Sequence, residues 1–182
     1  MKTTFLRNKN KKGFSLLELL LVLGIIAALV VGAFIVYPKV QASQRAEAES
    51  KNIATIQAGV KALYTSASSY SGLTNTVATN AKIFPDNMLN GTSVINVFKG
   101  NVTLATSTES PSGVANSSFT ITYANIPAAE CTKIISTAAG NFYVAKVGTT
   151  TVKAAGATLD VAATTTACAS GGNSNSLVLA SL

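Results

Sequence analysis

Polar and apolar residues divide the chain into segments of different character. Residues 1–13 are mostly polar, and residues 14–38 are almost continuously apolar, with twenty uncharged residues at 19–38. At roughly 1.5 Å of rise per residue, twenty helical residues span the roughly 30 Å hydrocarbon core of a bilayer. A buried helix of a soluble protein rarely lacks polar residues on every face over this length. The pattern therefore predicts a membrane-spanning helix.

Beyond Pro38, apolar residues recur at spacings of three and four, which is typical of an amphipathic helix. The recurring positions are Ile53, Ile56, Val60, Leu63, Tyr64 and Ala67. We expect this amphipathic half to cover residues 39–69 and to continue the apolar half at 14–38. Pro38 should kink the helix where the halves meet, because proline removes a main-chain donor and crowds the preceding turn.

Residues 70–182 are rich in small polar residues and contain short apolar alternations, which predict strands. The expected strands are 94–98, 102–105, 119–123, 142–147, 150–154, 159–162 and 177–179. A shorter helix should begin near Pro127 and end at Gly140. The chain is therefore predicted to be α+β, with an antiparallel sheet head packed on a long N-terminal helix.

The composition argues against catalysis. Charged residues make up 12% of the chain, and there is no histidine. The commonest neutral-pH general base and histidine-ligated metal sites are therefore missing. The seven acidic residues are scattered, so we expect no metal site and no cofactor, and the chain is predicted not to be an enzyme.

Charge is concentrated at the N-terminus. Five of the fourteen basic residues lie within residues 1–13, which contain no acid. A basic cluster beside an apolar span favours a cytoplasmic N-terminus. A nucleic-acid binder would instead carry its basic patch on the folded part, so no specific nucleic acid is expected.

Glu18 lies inside the apolar segment. A carboxylate there costs about 2.5–3.5 kcal/mol at mid-bilayer and less near the interface, so Glu18 needs a partner. A cleaved secretory signal, cut after Ala42, is an alternative, but the apolar run is longer than the usual 7–15 residues of such a signal. That alternative also leaves Glu18 without a role.

The sequence from Lys11 to Glu18, with Gly13 before Phe14 and a carboxylate fifth after the glycine, resembles the processing signal of type IV prepilins. The resemblance implies the type IV pilin fold and removal of residues 1–13 by an inner-membrane prepilin peptidase. It also implies N-methylation of Phe14. Glu18 of one subunit would then meet the Phe14 amine of its neighbour and set the axial register, because the two buried charges compensate each other.

Shorter stretches in the head resemble the type IVb class. They are residues 63–64, 70–73, 83–88, 96–100 and 129–135, with Val97 where that class has proline in its Asn-Pro-Phe turn. Two features depart from the class: its leaders are commonly longer than thirteen residues, and Phe14 is typical of type IVa.

Cys131 and Cys168 are the two cysteines of the chain. The resemblance implies that they form a disulfide tying the short helix to the C-terminal region. Closing a loop of about 37 residues would contribute about 4 kcal/mol in the chain-entropy description.

The chain is therefore expected to be the structural major subunit of a type IVb pilus, used for adhesion, aggregation or conjugation. The resemblance implies an inner-membrane prepilin with a periplasmic head, and later an extracellular pilus. The implied partners are further copies of the chain, the prepilin peptidase, an assembly ATPase and platform protein, an outer-membrane secretin and minor pilins. The alternatives are a minor pilin or type II secretion pseudopilin, and a membrane-anchored binding protein that does not polymerise.

Overall fold

The computed structural model describes residues 13–182. Four helices and seven strands follow one another in this part of the chain. The helices are α1 Leu16–Leu63, α2 Asn75–Asn80, α3 Ala128–Ala138 and α4 Val161–Ser170. The strands are β1 Leu89–Asn90, β2 Ser93–Val94, β3 Val102–Ser107, β4 Ser118–Ile126, β5 Val144–Val147, β6 Thr150–Lys153 and β7 Asn175–Ser181. Short 3₁₀ turns lie at Asp86–Met88 and Ala139–Asn141.

The chain divides into two units at the boundary between Val40 and Gln41. The first unit contains the apolar part of α1, in which every residue up to Val40 is exposed. The second unit contains the rest of α1 and the head. In α1 the buried side chains lie only in this second unit, from Ala46 to Val60.

The main sheet of the head has the strand order β3-β4-β7-β5-β6, and every neighbouring pair is antiparallel. One row of paired residues crosses four strands: Leu104, Ile121, Leu179 and Ala145. All four are buried and belong to one hydrophobic core with Ile53, Ile56 and Val60 of α1. The sheet and the amphipathic half of α1 thus bury their apolar faces together, as the alternation and the helical spacing predicted.

Helix α1 ends at Leu63, six residues before the predicted end at Ser69. The Thr65 hydroxyl donates to the main-chain carbonyls of Lys61 (2.9 Å) and Ala62 (3.0 Å). The amides of Thr65 and Ala67 donate to carbonyls three residues back, those of Ala62 and Tyr64, in place of the four-residue spacing of an α-helix. The α-helix therefore ends here in a tighter turn, although the apolar spacing continues.

Two predicted strands are wrong. Strand β2 ends at Val94, because the Asn96 side chain folds residues 96–100 into a tight turn by accepting from the amides of Phe98 and Gly100, both at 2.9 Å. In place of the strand predicted at 159–162, α4 begins at Val161, because the Asp160 carboxylate accepts from the Ala163 amide at 2.9 Å and caps the helix.

Candidate functional site

The predicted cleavage bond lies just before α1. Gly13, Phe14 and Ser15 have no regular secondary structure, and the Phe14 side chain is 86% exposed. A peptidase needs such an accessible, irregular segment, because regular structure keeps the main chain out of a proteolytic cleft. The basic leader residues 1–12 lie outside the described part of the chain.

Glu18 lies in the first turn of α1, four residues after Phe14, and is exposed. Residues four apart share a face of a helix, and a carboxylate in the first turn interacts favourably with the helix dipole. Residues 13–182 contain two ion pairs, Glu47–Lys51 and Glu109–Lys146, and Glu18 takes part in neither. Within the described part of the chain, no cationic side chain therefore pairs with Glu18.

The apolar part of α1 presents a large exposed apolar surface that no other part of residues 13–182 covers. Its most apolar stretch has a mean hydropathy of 3.2 over eighteen residues, and none of that stretch is buried. By length and composition α1 could cross a membrane. An apolar surface this large is rarely left to water, because burying it is strongly favourable. The segment needs lipid or other apolar helices around it.

Glu49 is a buried carboxylate that sequence reasoning missed. Its side chain is 2% exposed, and its Oε1 accepts from the Val97 amide at 2.7 Å. Its Oε2 accepts a longer hydrogen bond, 3.3 Å, from the Asn52 side chain. Burial raises the pKa of Glu49, and these two hydrogen bonds oppose the rise. The contact ties α1 to the turn at residues 96–100.

The negative charge of Glu49 also affects the pKa of the Tyr123 hydroxyl. Burial, and then the negative charge of Glu49, raise the pKa of Tyr123 well above its usual value. The hydroxyl contacts the Met88 sulfur at 3.9 Å. The spacing could have revealed Glu49, because it lies one helical turn before the buried Ile53. Because its neighbours Glu47 and Lys51 are charged, the sequence around Glu49 looks like an exposed part of the helix.

Gln57 forms a second polar contact between α1 and the head. Its Nε2 donates to the Asn141 carbonyl and to the Ser181 hydroxyl, both at 2.8 Å. Gln57 is buried and lies eight residues after Glu49, on the same helical face. Glu49 and Gln57 therefore fix α1 at two separate places, the turn at 96–100 and the end of β7.

Cys131 of α3 and Cys168 of α4 form a disulfide, with their Cα atoms 5.8 Å apart. Both cysteines are fully buried. The bond therefore holds α3 against α4 at the C-terminal side of the sheet.

The remaining acidic side chains do not converge. Asp160 caps α4, and Glu109 forms an ion pair with Lys146. Across residues 13–182, no group of three or more His, Cys, Asp or Glu side chains is placed to hold a metal ion.

Two family profiles cover most of the sequence. The prokaryotic N-terminal methylation motif matches residues 8–34, and the PilS N-terminal family matches residues 43–182. The chain belongs to the PilS family of type IV pilins. These pilins are structural subunits and not enzymes, as the composition predicted. The predicted resemblance to type IV pilins is thus confirmed.

Two curated relatives are each named as the major structural subunit of bundle-forming pilus. The protein from Escherichia coli O127:H6 (strain E2348/69 / EPEC) is 25% identical over 177 residues, which covers 92% of this pilin and 88% of the relative. The protein from Escherichia coli O111:H- is 28% identical over 104 residues, covering 56% of this pilin and 54% of the relative.

Two solved structures share the fold. TcpA, a type IV pilin from Vibrio cholerae El Tor biotype, aligns with a TM-score of 0.57 at 12% identity, covering 78% of this pilin and 99% of TcpA. A type IVb pilin from Salmonella typhi aligns with a TM-score of 0.56 at 18% identity, covering 73% of this pilin and 97% of the other chain. The likeness confirms the predicted fold, a long N-terminal helix with an antiparallel sheet.

Proposed function

We propose that this pilin is the major structural subunit of a type IVb pilus, matured by cleavage between Gly13 and Phe14 and by N-methylation of Phe14. The main support for this proposal is that the apolar half of α1 is exposed and contains Glu18 in its first turn. A helix that only anchors a head has no use for a carboxylate there, because an unpaired charge in the apolar span is costly.

The assembly mechanism follows from two charged groups at the N-terminal end of the apolar segment. Cleavage creates a new α-amino group at Phe14, four residues from Glu18. In a bundle of apolar helices each charge alone would be strongly disfavoured, while an amine and a carboxylate from two subunits compensate each other. The pair would therefore select one axial offset between neighbouring subunits.

The free energy of assembly comes mainly from packing. Moving α1 from lipid into a helix bundle exchanges one apolar environment for another, so the hydrophobic effect contributes little net free energy. Close packing of small residues then decides the association. Gly24 and Gly32 lie in this half of α1, and a Cβ at either would meet no other atom within 4 Å. Their surfaces are free to receive a neighbouring helix.

The cellular route also belongs to the proposal. The basic leader would hold the N-terminus in the cytoplasm while the head lies in the periplasm. The prepilin peptidase, the assembly ATPase with its platform protein, the secretin and minor pilins would then act on this membrane pool. The pilus would serve adhesion, aggregation or conjugation at the cell surface.

Replacement of Glu18 tests the proposal. Glu18→Ala should still be cleaved and N-methylated but should yield few or no surface fibres, and Glu18→Asp should restore part of the yield. Glu47→Ala is the matched control, because Glu47 is an exposed glutamate of α1 outside the apolar segment. Normal fibres from Glu18→Ala would contradict the register mechanism.

A further inference from the structure

Asn90 is the last residue of β1, and it is followed by the two-residue turn Gly91–Thr92 at the tip of the β1–β2 hairpin. Asn90 pairs with Ser93 and Leu89 pairs with Val94, and these two pairs make up the whole hairpin. Asn90, Gly91 and Thr92 are exposed. A two-stranded ribbon this short has little stability of its own, so the turn can open locally without unfolding the head.

The Asn-Gly pair has a characteristic side reaction. The main-chain nitrogen of the following residue attacks the side-chain amide carbon of asparagine, a five-membered succinimide forms, and ammonia leaves. Water then opens the ring to aspartate or isoaspartate. The reaction needs a following nitrogen that can lose its proton, and it is fastest before glycine, because glycine has no side chain to obstruct the attack and allows the widest range of backbone angles.

Asn90 is the one asparagine of the sequence that precedes glycine. The Gly91 nitrogen donates no hydrogen bond within residues 13–182, and neither does the Asn90 side chain. A Cβ at Gly91 would meet no atom within 4 Å, and its φ of +63° suits glycine. Nothing in the described part of the chain therefore protects the attacking nitrogen or restrains the side chain.

Seven other asparagines among residues 13–182 are protected by hydrogen bonds of the fold. Asn116 and Asn173 both precede serine, a small residue, but the Ser117 nitrogen donates to the Val114 carbonyl and the Ser174 nitrogen donates to the Gly171 carbonyl. Four further asparagines are followed by a nitrogen engaged in a hydrogen bond: Asn80, Asn87, Asn96 and Asn141. The side chain of Asn175 is buried and donates to three carbonyls.

We propose that Asn90 is a site of spontaneous deamidation in the folded pilin, and that this modification changes the charge of the subunit as it ages. Residues 14–182 carry nine basic and seven acidic side chains, a formal charge of +2. One new carboxylate at position 90 halves it. A surface with less net charge repels its copies less, which favours lateral association.

The modification itself does not depend on polymerisation, so it is tested on the purified full-length chain in detergent. The chain is incubated at several mildly alkaline pH values. Samples taken over time are digested, and the peptides are separated by chromatography and identified by mass spectrometry. We expect Asn90 to convert several-fold faster than Asn116 and Asn173, at a rate that rises with hydroxide concentration, giving both aspartate and isoaspartate. Conversion at Asn116 or Asn173 before Asn90 would overturn the proposal.

Two further comparisons separate the folded structure from the local sequence. The same incubation in urea removes the hydrogen bonds of Ser117 and Ser174, so Asn116 and Asn173 should speed up while Asn90 changes little. A large acceleration of Asn90 in urea would show that the fold protects it and would contradict the proposal. Asn90→Gln should keep the hairpin and abolish conversion at position 90, because glutamine would need a larger ring.

For the charge effect, the processed chain of residues 14–182 carrying Asn90→Asp is compared with the same chain carrying Asn90→Gln for self-association in detergent at low salt. Asn90→Asp should associate at lower protein concentration, and equal association would overturn that part of the proposal. Neither result bears on whether the chain forms pili.

Discussion

Replacing Glu49 with glutamine separates the charge of this buried side chain from its shape. Glutamine keeps an oxygen that can accept from the Val97 amide, but it cannot ionise. Because burial raises the pKa of Glu49 above its ordinary value of 4.5, the folded chain holds this proton more tightly than the unfolded chain does. The stability of the natural chain should therefore fall as pH rises from about 4.5 through the raised pKa, and then level off.

The size of the effect depends on two opposing contributions. Each unit by which the pKa is raised costs about 1.4 kcal/mol once the carboxylate is charged. The raised pKa already reflects the balance of burial and the opposing 2.7 Å hydrogen bond from the Val97 amide, so this cost is a net value and would be larger without that hydrogen bond. Glu49→Gln should thus match the natural chain at acidic pH and exceed its free energy of unfolding at neutral pH.

The assay is urea unfolding of the full-length chain in detergent at a series of pH values. Near-ultraviolet circular dichroism suits it, because the chain has no tryptophan and Tyr123 is fully buried in the head. The control is Glu47→Gln, two residues away, where the hydrogen bond and charge of Lys51 lower the pKa. The charged form of Glu47 stabilises the fold at neutral pH, and this stabilisation is lost on acidification. Glu47→Gln should therefore change stability with pH in the direction opposite to Glu49→Gln.

The refuting result is a difference between Glu49→Gln and the natural chain that stays constant or shrinks as pH rises. It would mean that the hydrogen bonds outweigh burial and that the charged form of Glu49 stabilises the head.

Two other substitutions test the packing of the head. Replacing both Cys131 and Cys168 with serine should lower the free energy of unfolding by about 4 kcal/mol, measured by urea unfolding against the oxidised chain; a loss below about 1 kcal/mol would contradict the loop-closure argument. Gly100→Ala should destabilise the head by about 1–3 kcal/mol, because its Cβ would overlap the Ala124 carbonyl. Gly140→Ala is its control, since a Cβ there would meet nothing within 4 Å. Equal effects at the two glycines would refute this reason.

Hydrophobic periodicity predicted the parts of the fold that depend on burial. The buried residues of β4, Phe119, Ile121 and Tyr123, alternate as the sequence does, and Ile53 and Ile56 lie on the buried face of α1. In these elements the apolar pattern and the tertiary packing agree.

Side-chain hydrogen bonds decided the parts that periodicity could not predict. Helix α2 was not predicted: Thr74 caps it, and the Asn75 side chain donates to the Val102 carbonyl and accepts from the Leu104 amide on edge strand β3. Asn96 and Asp160 likewise set a turn and a helix start where strands were expected. Polar side chains that bond the backbone leave no apolar pattern, and their partners become visible only in the folded chain.

Among the site residues, Gly13, Phe14 and Glu18 could be identified by resemblance to a processing signal, and their roles remain predictions. The helical spacing places Glu49 on the buried face of α1, but its partner, the Val97 amide 48 residues away, could not be predicted from the sequence.

N-terminal sequencing with intact mass, on fibres sheared from cells that express this pilin, tests the central claim most directly. We expect a dominant chain that begins at N-methylated Phe14. The same start in a trace component only would contradict the role of major subunit. A chain that begins near Ser43, or one that still carries Met1, would contradict processing at Gly13 and with it the proposed route of assembly.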